Sequence, residues 1–98
     1  MTLSDAQLTL GRTITDLANA GTIDGNRYEY NRRCGLAQAI LAAAAAGDES
    51  KAGHLGGVLA GPRDVSPAAP KSWRPVAELA FRLGRQVAQD QTSTKEAA

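Results

Sequence analysis

The sequence predicts an all-α protein: a small helical domain of about four helices, with a proline-rich connector before the last. Three observations carry this. Apolar residues recur at spacings of three and four rather than two. Serine or aspartate stands where such stripes begin, and glycine where they end. No segment shows the alternation that marks a strand.

The first helix is predicted to start at Ser4, with Gln7 three residues on as a capping box. Leu3, Ala6, Leu10, Ile14 and Leu17 share one face, and Gly21 is placed to close the helix in the left-handed conformation. Leu8 lies off that stripe. Asp24-Gly25 centres a turn. The second helix is expected over 26–46, with Tyr30, Cys34, Ala37, Leu41 and Ala44 inward and Leu36 and Ile40 beside them. Alanines at its end supply helix propensity, and Gly47 ends it.

Asp48 is placed to cap a third helix reaching to about Ala60, with Ala52, Leu55, Val58 and Leu59 as its apolar face. Gly53, Gly56, Gly57 and Ala60 form a separate strip of small residues. Such a strip either weakens the helix or admits a close neighbour. Pro62, Pro67 and Pro70 make 61–71 an extended connector. Ser72 is expected to cap the fourth helix, with Pro75 in its first turn and Val76, Leu79, Ala80, Leu83 and Val87 inward. The polar composition of 91–98 predicts a flexible tail after a single domain over 1–90.

The chain has 98 residues, 43% of them apolar, enough for one core and too few for two domains. Its net charge of +1 excludes a strong non-specific pull toward nucleic acid or membrane. Any polyanion contact must come from local clustering. One cysteine, Cys34, rules out an internal disulfide. The longest unbroken apolar run, 39–46, is far short of a membrane span. No basic start with an apolar run opens the chain, so the expected location is the cytoplasm, with no membrane partner.

No pattern of catalytic or metal-binding chemistry stands out. His54 is the sole histidine and has no triad or metal set around it. Cys34 falls in an apolar stripe, where a thiol behaves as a small hydrophobe. The glycines of 53–61 lack the Lys-Ser/Thr and the preceding strand of a phosphate loop. The expectation is a non-enzyme with no catalytic residue, no metal and no cofactor.

Two arginine groups remain. Arg27, Arg32 and Arg33 crowd the start of helix two, and Arg74, Arg82 and Arg85 share a sector of helix four. Either group suits phosphate contact, and either also reads as solvated helix surface. Surplus apolar and small residues point to self-association. Leu8, the strip with Gly53 and Gly57, and Phe81 beside Ala77, Gly84 and Ala88 exceed what a monomeric core needs.

The stretch 14–28 is also compared with a helix-turn-helix, which places a glycine between its helices. Arg27 occupies the position where that motif buries an aliphatic side chain.

The order Leu17-Ala-Asn-Ala-Gly-Thr-Ile-Asp24, then an alanine-rich helix, then a shorter third helix resembles small terminase subunits of actinobacterial phages. The resemblance spans 10–59 and rests on helix order and composition. It transfers no individual site residue. It implies a helical protein that assembles with itself and helps deliver viral DNA to a packaging motor, in the host cytoplasm. Partners would then be other copies of the chain, and DNA or another protein. Two alternatives stand beside it: a small helix-turn-helix DNA-binding regulator, and a monomeric interaction protein such as an inhibitor or adaptor.

Overall fold

The computed structural model describes residues 1–21, 23, 27–60 and 73–97, and their side chains except those of 27–29 and 92–97. These residues form four helices: α1 (Leu3–Asn19), α2 (Arg27–Ala45), α3 (Glu49–Ala60) and α4 (Arg74–Ala97). No strand occurs among them. The all-α expectation holds. The proline-rich connector, the Asp24-Gly25 turn and the Ser72 cap lie outside the described residues.

Local chemistry sets most boundaries. Thr2, not Ser4, caps α1: its hydroxyl oxygen accepts a hydrogen bond from the Asp5 amide at 3.1 Å. The helix therefore starts two residues earlier than the capping-box reading, because Thr2 and Ser4 compete for the same role. Gly21 closes α1 at φ 73°, with its amide donating to the Ala18 carbonyl.

The α2–α3 junction is tighter still. Gly47 adopts φ 81°, and the amides of Gly47 and Asp48 donate to the carbonyls of Ala44 and Ala43. This pair of bonds satisfies two of the orphan carbonyls at the end of α2. The Asp48 carboxylate then accepts from the Lys51 amide at 3.1 Å, starting α3. Asp48 thus finishes one helix and begins the next.

Contacts along the helices fix their directions. Gln38 on α2 donates to the Gln7 carbonyl on α1, and the Thr15 hydroxyl lies near enough to the Tyr30 phenol to act on its pKa. Later α2 therefore meets earlier α1, so the two run antiparallel. The amino group of Met1 pairs with Asp90, which sets α1 antiparallel to α4 as well. Tyr30 meets Trp73 while Ala44 meets Gly84, so α2 and α4 run parallel. α2 and α4 share the largest interface, and α1 and α3 flank that pair without touching one another.

The core follows. Ala6, Leu10 and Ile14 of α1 are buried, with Leu17 partly so. Leu3 is 36% exposed, since it lies in the first turn. In α2, Ala37, Ile40, Leu41, Ala43 and Ala44 are buried. At 100° per residue these span about 160° of the helix surface. Ala43 lay outside the expected stripe and is buried because α2 has neighbours on three sides.

α3 contributes Ala52 and Leu59, one face seven residues apart, while Leu55 is only partly buried. Val58 is a correction: 44% exposed, it points away from the core. One residue from Leu59 it is turned by about 100°, and α3 packs only against α2 and α4. In α4, Trp73, Val76, Ala77, Ala80 and Val87 are buried. Leu79 and Leu83 pack partly against them. The helix continues through Ala97, past Gln91, where composition predicted a structureless tail.

Candidate interaction surface

The expected site residues divide once the helices are placed. Trp73, just before α4, packs its ring edge-on to Tyr30 of α2, with centroids 5.9 Å apart. The Arg33 guanidinium lies over the same indole at 5.9 Å. Arg74 follows Trp73 directly and is exposed, as is Arg32 one position before Arg33. The parallel run of α2 and α4 thus brings Arg33 onto Trp73, the neighbour of Arg74, across about forty residues of sequence. The Arg27 side chain lies outside the described set.

That pole owes its charge to side chains. α2 and α4 run parallel while α1 and α3 run against them, so each end of the bundle carries two helix N-termini and two C-termini. Their dipoles largely cancel.

Arg82 and Arg85 sit elsewhere, farther along α4. With Pro75, Glu78 and Phe81 they line an open depression of about 470 Å³. The Arg85 guanidinium stacks 5.6 Å from the Phe81 ring centroid, and its Nε forms an ion pair with Glu49 of α3 at 3.2 Å. Both partners are more than half exposed, so this ion pair contributes at most about 1 kcal/mol. Phe81 and the two arginines, expected as separate interface and anion groups, therefore form one surface. Arg74 is not among its lining residues.

A second open depression of about 490 Å³ runs beside the α2–α3 junction, between Asp48, Glu49 and Ser50 on one side and Arg85, Ala88 and Gln89 on the other.

The expected interface residues separate. Leu8 is 59% exposed, the most open large apolar side chain of the described residues. Gly53 and Gly57 are exposed, with nothing within 4 Å of a Cβ built on either. The close approach expected of small residues occurs instead at Gly84, which is buried against α2. Ala77 is buried too. Two of the small residues counted as surplus thus belong to the monomer's own core.

Cys34 is half-buried and packs beside Tyr30, one turn earlier. Burial raises the thiol pKa, and a hydrogen bond with Tyr30 opposes this. Burial also raises the Tyr30 phenol, with the neighbouring thiolate adding to the effect. Neither group is thereby activated as a nucleophile near neutral pH.

His54 is exposed on α3. No cluster of three His, Cys, Asp or Glu residues occurs among the described residues. None of the helices there is long and apolar enough to cross a membrane.

Sequence reasoning missed the roles of Trp73 and Glu49. The signal for Trp73 was present, a lone tryptophan adjoining Arg74. Glu49 became visible only when α3 folded back beside α4. No protein-family model, curated protein or solved structure matches this chain.

Proposed function

We propose that the chain is a non-enzymatic helical adaptor that assembles with itself and grips a polyanion, DNA above all, through arginines at one end of its bundle. The observation that carries this reading is the Arg33 guanidinium stacked over Trp73, the residue that precedes exposed Arg74. One copy offers few cations, and its overall charge is only +1. Repetition in an assembly multiplies such a weak contact through effective concentration. The helix order that resembles phage small terminase subunits supports the same reading.

Trp73 is the only tryptophan, so it reports on this pole directly. Titration with duplex DNA at low salt is expected to change its emission as phosphates engage Arg33. Binding should weaken steeply with added salt, because counterions are released on association. Replacing Arg32 and Arg33 with alanine should lower both affinity and salt slope. Absence of binding at low salt would overturn the polyanion part of the proposal.

A second reading is favoured by Ala77 and Gly84. Their burial within one copy reduces the surplus that argues for assembly. A chain that stays at 10.2 kDa and ignores DNA would be a compact interaction protein. The helix-turn-helix alternative receives less support. α1 and α2 touch from Thr15–Tyr30 to Gln7–Gln38 as an antiparallel hairpin, whereas that motif crosses its helices steeply.

A further inference from the structure

Leu8 and the Phe81 depression are complementary in chemistry and cannot meet within one molecule. Ala6, Leu10 and Ile14 face the core, so Leu8 points outward from α1. The Phe81 depression opens on the α3 side of α4, where Arg85 reaches Glu49. α1 and α3 lie on different flanks of the α2–α4 pair.

From these positions we infer that Leu8 of one copy docks in the Phe81 depression of a second copy, in a head-to-tail contact. The inference rests on the self-assembly part of the proposed function.

Charge supplies the orientation. On α1, exposed Asp5, Leu8 and Arg12 stand at i, i+3 and i+7, which places them on one helix face. On α4, Glu78, Phe81 and Arg85 have the same spacing and lie along one depression. Each set spans roughly 10 Å along its axis. Laid antiparallel, Asp5 faces the Arg82–Arg85 pair, Arg12 faces Glu78, and Leu8 comes level with Phe81 to within about one residue's rise. Laid parallel, the same faces oppose acid to acid and base to base.

A two-fold antiparallel contact of the depression with itself would pair Glu78 with Arg85 but set Arg82 against its own copy, with no carboxylate to match it. The second arginine of the depression, which Asp5 can meet, thus favours a contact between unlike faces. Such a contact leaves one Leu8 and one depression unfilled at the ends, so it propagates until it closes as a ring or continues as a filament. The Glu49–Arg85 pair is solvent-exposed and weak enough for an incoming carboxylate to share Arg85.

The test is a mixing experiment read by light scattering at matched concentrations. The unaltered chain should show a mass that is a multiple of 10.2 kDa and rises with concentration. Leu8→Glu alone and Phe81→Glu alone should each remain at 10.2 kDa. Mixed one to one, they should give twice 10.2 kDa and no more, because each retains the face that the other lacks. Circular dichroism checks that each variant is folded. If Phe81→Glu is not, Arg82→Glu at an exposed position takes its place in the mixture. An unaltered chain that stays monomeric at high concentration would overturn self-assembly and this contact together. An unaltered chain that assembles, with either single variant still assembled or with the mixture monomeric, would overturn this contact alone.

Discussion

Gly84 of α4 lies against Leu41 of α2 so closely that a Cβ at position 84 would stand 2.5 Å from the Leu41 carbonyl oxygen. The same atom would be 2.5 Å from the Ala44 Cβ. A backbone carbonyl cannot rotate aside as a side chain can. The parallel pairing of α2 and α4, which sets the positions of Trp73 and Arg33, thus depends on a hydrogen at this point.

Gly84→Val should force the two helices apart. Overpacking of this kind costs about 1–3 kcal/mol. In a chain of this size that lowers Tm by roughly 5–20 °C. Calorimetry of the variant checks the prediction, and an unchanged Tm would mean that α2 and α4 do not meet there.

The glycines of α3 should respond in the opposite sense. Gly53 and Gly57 are exposed within a helix and have open space around them. Alanine at either position should stabilise by roughly 0.5–1 kcal/mol through backbone entropy. A rise of a few degrees in Tm for each is the expected readout. A fall would reveal a neighbour seated on that strip.

Asp48 joins two helices, so its loss should exceed that of an ordinary surface carboxylate. Asp48→Ala removes the acceptor for the Lys51 amide and should cost about 0.5–2 kcal/mol. Asp48→Asn keeps an acceptor and should recover most of this. Gly47→Ala should cost about 1 kcal/mol, because φ 81° places its Cβ in a strained region. Midpoints of urea unfolding rank the three variants.

Cys34 and Tyr30 make stability fall in alkali. Both acids have pKa values raised in the folded chain, mainly by burial. The folded state therefore holds their protons more tightly than the unfolded state does. Their contribution is complete below the ordinary thiol value of 9.0 and declines as pH rises through the shifted values. Cys34→Ala should flatten the slope of urea midpoint against pH above about 9. Thiol labelling of the native chain should be slow and accelerate on unfolding. Tyr30→Phe should slow native labelling at fixed pH, since the hydrogen bond that favours the thiolate is lost. Rapid native labelling would show that this face of α2 is open.

The sequence by itself determined the four helices, because their signals are local. Glycines able to adopt positive φ stand at 21 and 47, an aspartate at 48 can cap, and stripes at three and four residues mark Leu10, Ile14, Leu41, Val76 and Val87 as inward. Each is a property of a few adjacent residues and their backbone. The exact cap was less legible, since Thr2 and Ser4 offer the same hydroxyl to the same first turn.

Only the tertiary structure decided how these helices share their faces. Gly84 and the α3 glycines are alike in sequence. One is buried against α2 and the others are open, because burial depends on which helix lies opposite. Val58 and Leu59 are neighbours on a helix that touches only two others, so one turn of about 100° separates exposure from burial. The arginines were readable as residues but not as a site. Arg33 reaches Trp73, the neighbour of Arg74, because α2 and α4 run parallel. Spacing along one helix carries no information about the direction of another.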